Sequence, residues 1–395
     1  MAQINVLSHL SHVSFHDQNE SDYHQNRPAI APQPSGNKVN IRLPDMFVLF
    51  LAEPPRVNSH YDRIKAESEA WFAEKCQLND RLRKIISKTD FSYFCAITAA
   101  EAGPQELRTL CDWGNWVFPF DDMFDNGNLK ENPEEAQKVI DVLLSDMVID
   151  PDQSNTNNGE SSHGQLSEQQ GWLIDVHKLV WTRITESSPV GVQKRFAKHI
   201  HSYCKGSMEQ VHWRSKGQLP SVQETLDVRR KSAGVLPLFA LAEYALKLNI
   251  PDEVFDCESI KEIERIAVDF VVIQNDILSY CKEEDEGIPH NLVAITRYQL
   301  QSTNILGASH PQVAFDSVGA LLVELYQRWF LALAVLPSWG EKIDIDVQRY
   351  IASVKAVVMA NLNWSFRSER YFGKRVAEVR RTRVVQVLER LEIAI

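Results

Sequence analysis

No two cysteines in this chain stand at CxxC spacing, and none joins histidines at zinc-ligand spacing. Cys76, Cys95, Cys111, Cys204, Cys257 and Cys281 are scattered, so neither a disulfide framework nor a structural zinc site is expected. The chain also lacks an apolar run of about 18 residues: the best stretch, Val318 to Pro337, is broken by Glu324, Gln327 and Arg328, and no membrane span is expected. A basic n-region, a long apolar core and a small-residue cleavage site are missing from the first residues, so the reading is a cytoplasmic protein. Positive charge is in deficit too, with 42 Lys+Arg against 53 Asp+Glu and a net charge of −11. Such a chain has no electrostatic footprint for nucleic acid or for an anionic membrane surface. Strand signals are scarce, and no repeat of roughly 20 to 50 residues is present, which disfavours a solenoid.

What is present is an ordinary globular composition, 44% hydrophobic and 24% charged over 395 residues. Residues 1–40 mix His, Asn, Gln, Ser and Pro without periodicity and read as a polar tail, His9, His12, His16 and His24 included. Residues 150–170 read as a long surface loop. Residues 373–395 are basic, with apolar positions that form no clean face, and read as a tail or terminal helix. Between them, residues 41–372 carry apolar side chains at i, i+3, i+4 and i+7 almost throughout, and prolines such as Pro133, Pro251, Pro311 and Pro337 fall at helix starts or breaks. The expectation is an all-α, single-domain bundle of about ten to twelve helices around a central cavity. Ile266 to Ile273 and Ala320 to Leu336 are apolar on more than one face and are expected inside it.

Four constellations carry chemistry. In WVFPFDDMFDNG, Trp116 to Gly127, the carboxylates of Asp121 and Asp125 are i, i+4 on one helix face with Asp122 adjacent. Carboxylates about 6 Å apart suit a hard divalent cation, whereas acids at a helix C-terminus without one oppose the macrodipole. A solvated acidic helix end before an Asn-Gly turn is the plainer alternative. In VVIQNDILSYCKEEDEG, Asn275, Ser279 and Glu283 step at i, i+4, i+8. Each step rotates only about 40°, so an amide oxygen, a hydroxyl and a carboxylate form one row roughly 12 Å long. That row can ligate a metal, or it can be the polar stripe of an amphipathic helix. The third constellation is Arg229, Arg230 and Lys231, and the fourth is Arg370 and Tyr371 after Trp364; Lys282 adds one more cation beside Glu283. Taken singly, each basic cluster reads as surface charge.

Taken in order, D-D-x-x-D, Arg, N-D-x-x-S-x-x-K-E and R-Y resemble the class I terpene cyclases, in particular the single-domain sesquiterpene synthases of fungi and bacteria. The likeness runs from about Asp45 to Phe372. Within the family, LCDWGNWVFPFDDMFDNG, LYQRWFLALAVLPSWGEKID and ANLNWSFRSERYFG look closest to fungal presilphiperfolanol- and caryophyllene-type synthases. The resemblance implies the class I terpenoid synthase α-bundle, with farnesyl diphosphate as substrate and three Mg²⁺ ions as cofactors, Mn²⁺ being an alternative. It implies that Asp121 and Asp125 bind two of the metals and that Asn275, Ser279 and Glu283 bind the third. Arg229 would sense the diphosphate, with Lys282, Arg370 and Tyr371 closing on its oxygens. Asn126 stands where the family usually has an acid, which touches an outer-shell role alone. Phe118 and Trp364 would offer π faces to cationic intermediates.

The resemblance implies ionisation of the diphosphate and cyclisation of the carbocation to a sesquiterpene hydrocarbon or alcohol, through a humulyl- or caryophyllenyl-type cation, in a monomer or homodimer. A prenyl-chain-elongating synthase would carry a second aspartate-rich motif where this chain has NDILSYCKE. A protonation-initiated cyclase needs DxDD, and Asp344-Ile345-Asp346-Val347 lacks the last acid. A non-catalytic helical protein that binds prenyl diphosphate would show broken metal motifs.

Overall fold

The computed structural model describes residues 36–125, 127–147, 166–217, 219–288, 290–301, 307 and 309–391, Asp125 by its backbone alone. The N-terminal half runs β1 (Lys38–Arg42), α1 (Tyr61–Lys75), α2 (Asp80–Thr89), α3 (Phe91–Thr98), α4 (Pro104–Asp125), α5 (Pro133–Ser145), α6 (Glu168–Ser187) and α7 (Val190–Ser215). There follow α8 (Val222–Ser232), α9 (Val235–Ala245), α10 (Asp252–Phe255), α11 (Glu258–Asp285) and α12 (Leu292–Gln301). The chain continues with α13 (Pro311–Ala334), α14 (Glu341–Ser365), α15 (Val376–Thr382) and β2 (Val384–Leu388). The all-α architecture is as expected, although with thirteen helices of eight or more residues among the described residues it exceeds the expected count. None of the described helices is long and apolar enough to cross a membrane.

Local chemistry sets the helix starts. Ser221 and Glu224 form a reciprocal capping box on α8, as Ser167 and Gln170 do on α6, each satisfying backbone N–H groups that have no partner inside the helix. Pro133 and Pro311 occupy the first turns of α5 and α13, where a missing N–H costs nothing. Gly127 closes α4 by donating its N–H to the Asp122 carbonyl at 2.7 Å. A Cβ there would lie 2.8 Å from the Met123 backbone, so the Asn-Gly turn read from the sequence requires this glycine.

Helix α11 is the axis of the bundle. Every residue from Ile266 to Tyr280 is buried, because α8, α12, α13 and α14 surround it. The segment Ala320 to Leu336, read as equally interior, is not: α13 packs one face on α11 and leaves Val323, Phe330, Leu331 and Val335 half or more exposed. An edge helix buries only one stripe, so apolar composition all round does not guarantee neighbours all round.

The helix-only expectation also needs correction at the termini. β1 and β2 pair antiparallel, with Lys38 opposite Leu388 and Arg42 opposite Val384. Ile41, Val385, Val387 and Leu388 are buried there. The described part of the stretch read as a C-terminal tail or helix holds a short helix followed by a strand, and β1 begins at Lys38, inside the segment read as a polar tail. Residues 1–35 and 148–165, which hold most of the tail and loop readings, lie outside the described residues.

Candidate active site

The polar groups singled out in the sequence converge at one end of α11. Asp121 and Asp122 are buried at the end of α4, Arg229 in the last turn of α8, and Asn275, Ser279 and Glu283 along α11. Arg370 and Tyr371 follow α14. The side chain of Asp125 lies outside the described residues, so Asp121 alone represents its i, i+4 pair.

Arg229 donates from one terminal nitrogen to Asp276 Oδ1 at 2.8 Å and to Asn275 Oδ1 at 3.4 Å. The other oxygen of Asp276 accepts the Leu292 N–H at 2.8 Å. Asn275 Nδ2 in turn donates to the Tyr371 hydroxyl at 2.8 Å, which ties the segment after α14 to α11. Asn291 donates to Glu283 Oε2 at 2.9 Å and to the Asp276 carbonyl at 2.8 Å, while its own Oδ1 accepts from Val293 and Ala294 and caps α12. Tyr203, from the middle of α7, donates its hydroxyl to Asp121. A buried acid and a buried guanidinium are tolerable only with such partners, since an unpaired buried polar group costs about 1 to 3 kcal/mol.

Several groups are nevertheless left with capacity. Ser279 Oγ is buried without a hydrogen-bond partner, as are the three guanidinium nitrogens of Arg370. The Arg370 guanidinium instead lies 5.8 Å from the Phe118 ring, 5.9 Å from Trp364 and 5.1 Å from Tyr371. Phe118 and Trp364 are themselves stacked at 6.0 Å, and Phe91 meets both edge-on. Trp113, Trp116 and Trp329 are buried in the core, while Trp213 is partly exposed.

Burial governs the electrostatics. It pushes Asp121 up to about 6, against the Tyr203 hydrogen bond and the charges of Arg229 and Arg214. Glu283 rises to about 7 through burial and the neighbouring Asp276, opposed by Asn291, Arg229 and Lys282. Lys282 falls to about 8 because it is buried and faces Arg370; its nearest acid is Glu286 at 3.5 Å. Arg370 is likewise lowered by burial. Burial thus disfavours the charged form of acids and bases alike, and a bound cation would favour ionised acids as a bound anion would favour protonated bases.

The donor set fits a hard cation. Asn275, Ser279 and Glu283 offer three oxygen types, one of them an orphaned buried hydroxyl, and oxygen ligands are what Mg²⁺ takes. Among the described residues no group of three His, Cys, Asp or Glu side chains is placed to hold a metal ion, and Glu283 is the one member of this row of those types. Tyr203, Asp276 and Asn291 were not singled out as site residues in the sequence. Asp276 was visible as a polar residue after an apolar run, whereas Tyr203 and Asn291 carry no local signal.

A buried acid at one helix end and an oxygen-lined row beside a lysine on a central helix form a polar site whose donors suit a hard cation. The family model described as terpene synthase family 2, C-terminal metal binding, matches residues 112–328, more than half of the chain. The chain belongs to this family of terpene synthases, enzymes that depend on divalent metal. Silphinene synthase peniA of Penicillium patulum is 35% identical over 91% of this chain and 94% of its own length. The (+)-eremophilene synthase of Gibberella fujikuroi is 31% identical over 91% and 96%. Among solved structures, hedycaryol synthase in complex with HEPES superposes with a TM-score of 0.64 at 20% identity, covering 82% of this chain and 98% of that one, which shows a shared fold. Germacradien-4-ol synthase from Streptomyces citricolor gives 0.62 at 19% identity, over 79% and 96%.

Proposed function

We propose that this chain is a Mg²⁺-dependent sesquiterpene synthase that ionises farnesyl diphosphate and cyclises the resulting cation, through a humulyl- or caryophyllenyl-type intermediate, to a polycyclic hydrocarbon or alcohol. The observation that carries the reading is the Arg370 guanidinium, buried without a hydrogen-bond partner between an aromatic cluster and an oxygen-lined helix. That arrangement wants an anion on its polar side and tolerates a cation beside its rings, which is the charge pair an ionised allylic diphosphate creates.

Asp121 and Asp125 on α4 and Asn275, Ser279 and Glu283 on α11 would hold three Mg²⁺ ions, with Mn²⁺ as a substitute. Bound metal supplies Lewis-acid stabilisation to the departing diphosphate. Arg229, Lys282, Arg370 and Tyr371 are the chain's own donors to that diphosphate, held in place before substrate arrives, so little reorganisation is needed as charge develops on the leaving oxygen. Asp276 keeps Arg229 aimed, and Tyr371 joins the same network through Asn275. Phe118 and Trp364 present π faces worth on the order of 1 to 2 kcal/mol each to a desolvated cation. They also exclude water, which would otherwise end the cascade early.

The test is incubation of the purified protein with farnesyl diphosphate and Mg²⁺, with analysis of the volatile products. A cyclic sesquiterpene is expected. No hydrocarbon or alcohol from farnesyl, geranyl or geranylgeranyl diphosphate would overturn the proposal.

A further inference from the structure

Four consecutive residues end α11, and they divide by direction. Lys282 and Glu283 belong to the site described above, whereas Glu284 and Asp285 reach the terminal strands. Glu284 Oε2 accepts the Leu388 N–H of β2 at 2.8 Å, and Glu284 Oε1 accepts from Arg297 of α12 at 2.7 Å and from the Tyr280 hydroxyl at 2.8 Å. Arg297 also donates to the Leu388 carbonyl at 2.7 Å. Both side chains of this ion pair are about 1% exposed. Asp285 meets Lys38 of β1 at 2.8 Å. The two-stranded sheet of β1 and β2 is therefore fastened, through a buried ion pair and an exposed one, to the residues immediately after the proposed ligands of metal and diphosphate.

We infer that Glu284 and Arg297 are positioning residues for the active site, and that β2 acts through them to hold the C-terminal end of α11 in its ligand-binding geometry. The inference rests on the reading of Glu283 and Lys282 as ligands. A helix end has four carbonyls with no intrahelical donor and frays unless something holds it. Here the tie is lateral, from Glu284 to the strand and from Asn291 to Glu283, so the last turn is fixed from both sides. Coupling between two sites is reciprocal: if β2 stabilises the ligand-binding form of α11, then binding there must stabilise β2.

Hydrogen exchange on the full chain, with and without Mg²⁺ plus inorganic diphosphate, tests this without a substitution. Slowed exchange, by about tenfold or more, is expected at the amides of 280–286 and also at those of 384–388. Protection at α11 with β2 unchanged would overturn the inference and leave the function standing, whereas no protection at either would overturn both. In parallel, the Glu284→Leu/Arg297→Leu double variant replaces the buried pair without stranding a charge. It should need at least about tenfold more Mg²⁺ to reach half of its diphosphate-induced rise in melting temperature. The matched variant Arg195→Leu/Glu243→Leu removes a buried pair on α7 and α9, more than two turns of α7 from Tyr203, and should leave that Mg²⁺ requirement within about twofold. Equal shifts in the two would show a general loss of stability and refute the positioning role.

Discussion

Replacing Arg370 by methionine should make the metal-free protein more stable and the enzyme nearly inactive. The guanidinium nitrogens are buried and unbonded, and removing such a charge from water costs several kcal/mol. Three rings at 5.1 to 5.9 Å return part of that, about 0.5 to 2 kcal/mol apiece. Methionine fills a similar volume, keeps contact with Phe118 and Trp364, and removes the penalty, for a net gain of roughly 1 to 3 kcal/mol. With an unfolding entropy near ~2.1 cal/mol/K per residue across a chain of this length, the melting temperature should rise by about 1 to 4 °C. Loss of a preorganised donor to the developing charge is worth about 2.7 to 4 kcal/mol, so kcat/KM should fall at least ~100-fold. Thermal denaturation without metal and steady-state turnover of farnesyl diphosphate with Mg²⁺ are the two assays. A variant that melts below the parent, or keeps more than about a tenth of its kcat/KM, would refute the account of Arg370 as an anion clamp held at the fold's expense.

Three other outcomes are expected. Asn275→Ala and Glu283→Gln should each abolish turnover while the far-ultraviolet circular dichroism stays helical; activity in either would remove that residue from the metal set. Burial holds Glu283 at about 7 and Asp121 at about 6, so between their ordinary range and these values the folded chain binds more protons than the unfolded one. Their contribution to metal-free stability is therefore greatest at low pH and is lost as pH rises through 6 to 7. Metal binding displaces those protons, so the half-saturating Mg²⁺ concentration should climb as pH falls from 7.5 to 5.5, approaching about tenfold per unit for each proton released; a flat profile would contradict the assignment. Gly206→Ala places a Cβ 2.6 Å from the Ser232 backbone nitrogen, forcing α7 away from the end of α8 that carries Arg229. A loss of about 1 to 3 kcal/mol in urea denaturation should accompany reduced turnover, and an unchanged kcat would show that Arg229 tolerates the shift.

The main site motif was legible because its geometry is local. Asn275, Ser279 and Glu283 share a face by helix periodicity alone, and that face is the same whatever surrounds it. The aromatic pair Phe118 and Trp364 was legible only through resemblance, since the two lie on α4 and α14 and nothing in either segment announces the other. Tyr203 and Asn291 were not legible at all. Each looks like an ordinary tyrosine or asparagine until α7 and the start of α12 are set against Asp121 and Glu283.

The same division separates the edges from the centre. Ile266 to Ile273 and Ala320 to Leu336 have the same apolar character, yet one is enclosed and the other half exposed, because enclosure depends on how many neighbours a helix has. β1 and β2 are five residues each, drawn from the two ends of the chain, and their pairing is a long-range event with no sequence period to betray it. What the sequence by itself determined was the helical class, the order of the chemical motifs and the face each one occupies, all set by periodicity over a few turns. Which side chains carry no partner, which acids are pushed toward neutrality, and the fastening of the terminal sheet beside Glu283 were decided by tertiary structure, because burial and hydrogen-bond satisfaction are properties of what packs alongside.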